Sequence, residues 1–426
     1  MKTIFRITIL SNRLKESELQ IDRKGRHGQD MKLKIAVLFG GKSTEHEISI
    51  ISAIQAIRSM DQEKYEIIPV YMTKNNDYYV GEDIGRIEAY RNIPELLKNS
   101  IQVVWIKDGD KVSLMRYPMK KFGNNVMHEV DMAFPIVHGT NVEDGTLTGF
   151  LATLGLPVVG CDVLSSAVGM NKYVMKTVLK DNGISVLDCK CYTWKDYEDA
   201  KELIAKVEAA FSYPVIVKPL NLGSSIGIKK ASDRDQLTEA LDLAFEFSRK
   251  VLVEPAISAL KEINCAVLGD YEGAQASECE EPVNADEILS YEDKYIGGAK
   301  GPKNGGSKGM TSLKRKLPAD ISAEVREQIR QMAVDAFMCL GCSGVARIDF
   351  MIDEATGKVY LNEINTIPGS LAFYLWEPLG MKYPQLLENL IQLTRKADRE
   401  NHKVVYSFDT NVLAGVSLGG AKGSKC

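Results

Sequence analysis

The stretch RIDFMIDEATGKVYLNEINTIPG, Arg347 to Gly369, carries Arg347, Asp349, Glu363 and Asn365 on two runs that alternate as β-strands do. Ile348, Phe350 and Ile352 lead into the turn Asp353-Glu354-Ala355-Thr356-Gly357, and Val359, Leu361 and Ile364 follow it. The turn residues tolerate turn backbone angles. Pairing centred near Thr356 sets Asp349 opposite Glu363 and Arg347 opposite Asn365. Residues two apart on a strand share a face, so the four polar side chains gather on one side of the sheet. Two carboxylates and an amide placed together repel and resist desolvation unless a cation lies among them.

A second stretch, VIVKPLNLGSSIGI (Val215–Ile228), reads as strand, lysine, Gly-Ser-Ser-x-Gly turn and strand. Glycine allows the backbone to approach a ligand closely. The hydroxyls of Ser224 and Ser225, with backbone N–H groups, can cradle phosphate oxygens, and Lys218 supplies a point positive charge. The lysine precedes the glycines and no helix follows, so this is not a Walker A loop. Alone, the stretch is equally well a hairpin turn with a surface lysine. Beside the acidic hairpin it points to Mg²⁺-nucleotide chemistry, because Mg²⁺ commonly takes one or two carboxylates plus substrate phosphates. Arg347 is then placed to offset charge on a reacting group.

Such groups need a large scaffold, and 426 residues suggest two or three domains. A 45% hydrophobic and 26% charged composition is that of a globular protein. The net charge of −4 does not favour nucleic acid as a partner. No apolar run approaches the roughly 20 residues of a membrane span. The opening MKTIFRITIL is short, is interrupted by Arg6 and lacks a small-residue cleavage site, so a cytoplasmic location is expected. The eight cysteines are scattered, with only Cys189-x-Cys191 and Cys339-x-x-Cys342 close together, which reads as reduced cysteines rather than zinc ligands.

Along the chain, MKLKIAVLFGG reads as a buried first strand ending in glycines, followed by a helix over residues 49–60. YEIIPVYMT, VDMAFPIVHG, LPVVG, YPVIVKP and KVLVEPAI read as strands. Residues 165–182 form one amphipathic helix, and further helices are expected near 233–248, 322–340 and 383–395. The Gly/Lys-rich stretch 297–310 reads as a mobile loop.

From Met31 to about Arg395 the chain resembles the D-alanine–D-alanine ligases of the ATP-grasp superfamily. The matching stretches, in the family's order, are VLFGGKSTEHEIS, FPIVHGTNVEDGT, LPVVGCDVLSSAVGMNKYVMK, YPVIVKPLNLGSSIGI, VLVEPAI, EINCAVLG, YEDKY, GVARIDF and YLNEINTIPG. The resemblance implies an α/β ATP-grasp architecture: an N-terminal α/β domain with a parallel sheet, then two α+β domains clamping ATP. The expected boundaries are an extension at 1–30, a substrate domain at 31–159, a central subdomain at 160–256, a C-terminal subdomain at 257–396 and a tail at 397–426.

The implied reaction phosphorylates one D-alanine with ATP and lets a second D-alanine attack the acyl phosphate, giving D-alanyl-D-alanine for peptidoglycan. By the same resemblance Glu45 receives the ammonium of the first D-alanine, with Ser224 and Tyr295 hydrogen-bonded to it. Lys172, Lys218 and Lys294 reach ATP phosphates near Ser224 and Ser225, while Glu254 and Glu262 border adenine and ribose. Asp349, Glu363 and Asn365 hold Mg²⁺, with Mn²⁺ as the substitute, and Arg347 and the Gly369 N–H meet the oxyanion. Residues 291–316 form the closing lid, His138 lines the substrate pocket, and the family is often dimeric.

Three departures qualify this. The acceptor segment reads PGSLAFYLWEPLG, so Ser370 and Leu371 align with the pair that holds the second substrate's carboxylate only by deleting about four residues. The lid carries extra glycine and lysine, and the family's GEDG reads VEDG, with Val142. Retained Tyr295 favours an amine acceptor. The alternatives are a ligase with another acceptor and a non-catalytic nucleotide-binding paralogue.

Overall fold

The computed structural model describes residues 32–223, 226–282 and 315–407. The apolar run LKIAVLFG becomes β1 (Leu33–Gly40), buried from Ile35 onward because both faces are covered. It pairs in parallel with β7 (Met132–Pro135). The other strands of this sheet are β2 (Tyr65–Met72), β3 (Tyr78–Val80), β4 (Ile101–Asp108), β5 (Lys111–Arg116) and β6 (Val126–Val130). The order is β6-β5-β4-β3-β2-β1-β7, with antiparallel pairs from β2 out to β6. Gly40 and Gly41, at φ of 93° and 87°, turn the chain from β1 towards helix α1 (His46–Ser59), which covers the sheet with Ile50, Ala53, Ile54 and Ile57. The segment LPVVG contributes only a bridge, Val158 to Ala133, rather than a full strand.

After helix α2 (Thr146–Thr153), the single helix expected over 165–182 is two: α3 (Val163–Met170) and α4 (Lys172–Asp181). Asn171 breaks it, at φ −91° and ψ 94°, and its side chain accepts from the Val174 N–H at 3.0 Å to cap α4. Gly169 lets α3 lie on the last hairpin, since a Cβ there would stand 3.1 Å from the side chains of Ile364 and Thr366.

A second sheet contains β8 (Lys190–Thr193), β9 (Val215–Pro219), β10 (Lys229–Ala231) and β11 (Lys250–Pro255), in the order β10-β9-β11-β8. Helices α5 (Ala200–Ala210) and α6 (Arg234–Phe247) pack on it around Leu203, Val207, Leu237 and Leu241. The third sheet runs β14-β13-β12-β15-β16. It is built from β12 (Leu260–Asp270), β13 (Gly273–Pro282), β14 (Arg315–Lys316), β15 (Gly344–Asp353) and β16 (Lys358–Asn365). Its core gathers Ile263, Phe337, Phe350 and Leu361 with Met175 and Leu179 of α4, so α4 rides on this sheet. Helices α7 (Ala323–Cys339) and α8 (Tyr383–Asn401) flank the last hairpin in sequence, and among the described residues no helix is long and apolar enough to cross a membrane.

Candidate active site

The hairpin β15–β16 has the register read from its sequence: Asp349 faces Glu363 and Arg347 faces Asn365. One feature was not legible. A β-bulge follows Asp349, so that Phe350 pairs with Leu361 and Asn362 is the extra residue. Leu361 and Ile364 are buried on the core side, and Asn362 and Glu363 between them are half-buried. Asn264 of β12 lies opposite both Asp349 and Glu280 of β13, which extends the polar row across four strands: Glu280, Asn264, Asp349, Glu363. Glu262, two residues before Asn264, shares that face.

Arg347 grips Asp349 with two hydrogen bonds of 2.7 Å, from Nε and from a terminal nitrogen, and Asn365 Nδ2 donates to Asp349 Oδ2 at 3.1 Å. Lys172 Nζ stands 3.2 Å from Glu363 Oε2 and donates to the Leu222 carbonyl at 2.7 Å. Lys172 is only 5% exposed. Lys176, one helical turn further along α4, pairs with the buried Glu254, whose other oxygen lies 2.5 Å from Lys218 Nζ. Burial pushes the Glu254 carboxyl up, but Lys176 and Lys218 together outweigh it and hold it at about 2. The Asn362 amide oxygen accepts from Lys218 at 3.3 Å. Three lysines thus converge between the helix α4, the strand β9 and the acidic hairpin.

Asp349, Glu363 and Asn365 offer oxygen donors, and ammonium or guanidinium groups already stand against both carboxylates. Among the described residues no three His, Cys, Asp or Glu side chains gather to hold a metal by themselves. Two carboxylates and an amide suit Mg²⁺, which keeps waters and takes phosphate oxygens for its remaining positions.

Glu45 occupies the N-cap position of α1 without making a side-chain cap bond. Its Oε2 lies within 3.5 Å of where a Cβ would stand on Gly223 and within 3.2 Å of one on Gly139. The carboxylate therefore sits between the loop after β7 and the glycine that opens the Gly-Ser turn. Thr140 Oγ1 donates to the Asn221 carbonyl at 2.6 Å across the same gap. Val142 packs over Gly41: a Cβ on Gly41 would be 2.7 Å from its methyl group. His46 is structural, with Nδ1 against the Gly41 carbonyl at 2.7 Å and Nε2 against the Tyr71 hydroxyl at 2.9 Å.

His138 is buried beneath the turn that follows β16. Its Nδ1 lies 2.8 Å from the Ile367 carbonyl, which only accepts, so that nitrogen carries the proton. Its Nε2 accepts from the Ser52 hydroxyl at 3.2 Å, and burial lowers its pKa, which keeps the ring neutral. Ser52 Oγ in turn accepts from the Ser370 N–H at 3.0 Å, and the Ser370 hydroxyl donates to Gln55 at 2.7 Å. The Leu371 N–H closes the turn on the Pro368 carbonyl at 2.8 Å. Ser370, Leu371 and Ala372 all have left-handed φ angles, from 49° to 53°. Such backbone costs about 1–2 kcal/mol per non-glycine residue and persists only where its surroundings enforce it.

Sequence reasoning passed over four contributors. Lys176 was detectable from its four-residue spacing to Lys172. Glu143 accepts from the N–H of Gly139 at 2.9 Å and of Ile367 at 3.0 Å, and burial, reinforced by the charge of Glu45, pushes its carboxyl up to about 7. Asn362 depends on the bulge. Tyr374 donates to Glu280 at 2.9 Å and lies under the Arg315 guanidinium at 4.1 Å, a contact across distant segments without local signal. Ser224, Ser225, Lys294, Tyr295 and most of the expected lid lie outside the described residues.

Residues 34–161 match the family model described as D-ala D-ala ligase N-terminus, and residues 178–392 match D-ala D-ala ligase C-terminus. A curated relative, the D-alanine–D-alanine ligase of Thermosipho melanesiensis, is 38% identical over 381 residues, covering 89% of this chain and 98% of the relative. The solved D-alanine–D-alanine ligase of Coxiella burnetii superposes with a TM-score of 0.72 at 32% identity, over 88% of this chain and 97% of that one. The VanG D-Ala:D-Ser ligase of Enterococcus faecalis gives a TM-score of 0.70 at 33% identity, over 85% of this chain and 100% of that one.

Proposed function

The chain belongs to the D-alanine–D-alanine ligase family, and from that premise we propose how its residues divide the reaction. The fold is ATP-grasp, and the enzyme is an ATP-dependent ligase that joins two D-alanines, through a D-alanyl phosphate, into D-alanyl-D-alanine for peptidoglycan. Glu45 takes the ammonium of the first D-alanine and fixes its carboxylate against the nucleotide. Lys172 and Lys218 take phosphate oxygens, and Glu254, bordering the adenine–ribose pocket, holds Lys218 together with Lys176. Glu262 borders the ribose. Asp349, Glu363 and Asn365 would hold Mg²⁺, or Mn²⁺, which when bound neutralises phosphate charge. Arg347 and the Gly369 N–H stabilise the oxyanion formed as the second amine attacks. Ser224, Ser225, Lys294 and Tyr295 keep the roles implied by sequence, closing phosphate and donor sites. Ser370 and Leu371 shape the acceptor end.

The observation that best supports this reading is the facing pair Asp349–Glu363 with the ammonium of Lys172 beside it. The test is ADP release with a panel of D-amino and D-hydroxy acids. Release with D-alanine alone, yielding D-alanyl-D-alanine, is expected. Nucleotide binding without release for any acid would reject a ligase, and release only with a second, different acid would reassign the acceptor. We further propose that the enzyme works in the cytoplasm as a homodimer; light scattering giving a monomer mass at micromolar concentration would overturn the dimer.

A further inference from the structure

Ile367 is held on both sides by one loop. Its N–H donates to Glu143 Oε1 at 3.0 Å, and its carbonyl accepts from His138 Nδ1 at 2.8 Å. The second oxygen of Glu143 accepts from the Gly139 N–H at 2.9 Å. Glu143 is 8% exposed, and both of its oxygens accept from backbone N–H groups. Two residues beyond Ile367 stands Gly369, and the left-handed run Ser370–Ala372 follows directly. That run does not favour its own geometry, so it needs bracing from outside.

We propose that Glu143 is a positioning residue for the acceptor half of the reaction, bracketing Gly139 and Ile367 so that the turn presents the Gly369 N–H at one fixed place. The inference rests on the ligase reading of the site. A carboxylate is required because both partners are donors. In Glu143→Gln one amide nitrogen must face an N–H, and one strut of the bracket is lost. Ser52 braces the far end of the same turn through Ser370, so Ser52→Ala tests the idea without touching Glu143.

Two rates separate a positioning role from a general loss of structure. Positional isotope exchange in labelled ATP with D-alanine reports phosphorylation of the donor; dipeptide release reports attack by the acceptor. In Glu143→Gln, dipeptide release should fall about 100-fold while isotope exchange and ATP affinity stay within about threefold, since small misplacements of reacting groups cost that much. Ser52→Ala should show the same split at smaller amplitude. Dipeptide release within about threefold of the unsubstituted enzyme in both variants would overturn the proposal, as would isotope exchange falling in step with release. Absence of both rates in the unsubstituted enzyme would overturn the ligase reading and this inference with it.

Discussion

The ammonium of Lys172 stands 3.2 Å from Oε2 of Glu363, joining the first turn of α4 to the last strand of the third sheet. The contact brings a cation to a hairpin whose two strands carry opposed carboxylates, and it does so with the lysine nearly excluded from water. On the proposed division of roles, a nucleotide phosphate entering there would meet Lys172, Lys218 and the acidic pair at once. Charge on the transferring group is thereby met by groups already in position, which is where electrostatic catalysis draws its strength.

Glu363→Gln retains shape and removes one of the two opposed charges. Turnover should fall at least about 100-fold, on the scale of losing one electrostatic contributor, with the circular dichroism spectrum unchanged. Chelation of divalent cations should abolish ADP release from the unsubstituted enzyme in the same assay. Full activity of the variant would contradict the metal assignment.

Asn362 exists on the site face only because of the bulge, and its amide accepts from Lys218. A hydrogen bond to a charged donor contributes about 1.5–3 kcal/mol, so Asn362→Ala should raise the KM for ATP about tenfold with little change in kcat. A raised KM for D-alanine instead would place Lys218 at the wrong substrate.

The hairpin register was legible because alternation and the turn ending in Gly357 together fix which residues face each other. The bulge marks the sequence only as a three-residue step from the apolar Leu361 to Ile364, a signal the strand reading passed over because alternation holds on each side of it. The helix read across 165–182 failed at Asn171 for a comparable reason: its amphipathic pattern continues through the break, and only capping chemistry marks the boundary. Lys172 was assigned to phosphate through the family resemblance alone, and its contact with Glu363 comes from packing that the local sequence does not show. Glu143 could not be read at all, because its partners are backbone N–H groups, one in its own loop and one in the distant turn after β16.

Gly139 tests the placement of Glu45. It adopts φ 85°, and an added Cβ would come 2.4 Å from Ser43 Oγ and 3.2 Å from Glu45 Oε2. Gly139→Ala should cost about 1–2 kcal/mol of stability from backbone strain, measured by urea unfolding. It should also raise the KM for D-alanine more than that for ATP, because the displaced group is the carboxylate proposed to receive the donor's ammonium. An unchanged KM for D-alanine would remove Glu45 from the donor site.

Glu254 and Glu143 should pull stability in opposite directions with pH. Glu254 has a folded pKa of about 2 against an ordinary 4.5, so its contribution is present above about pH 4.5 and is lost as pH falls towards 2. Glu143 is raised from 4.5 to about 7, so the advantage of its protonated form is full below about pH 4.5 and disappears as pH rises through 7. Each displacement amounts to roughly 3 kcal/mol for a fully buried group. Urea unfolding across this range, compared with Glu254→Gln and Glu143→Gln, isolates the two effects. The stability of the unsubstituted protein relative to Glu254→Gln should shrink on acidification, and relative to Glu143→Gln it should shrink as pH rises from about 4.5 to 7. A pH-independent difference for Glu254→Gln would mean that the lysine pair does not hold that carboxylate ionised, and the charged floor under the phosphate lysines would have to be reassigned.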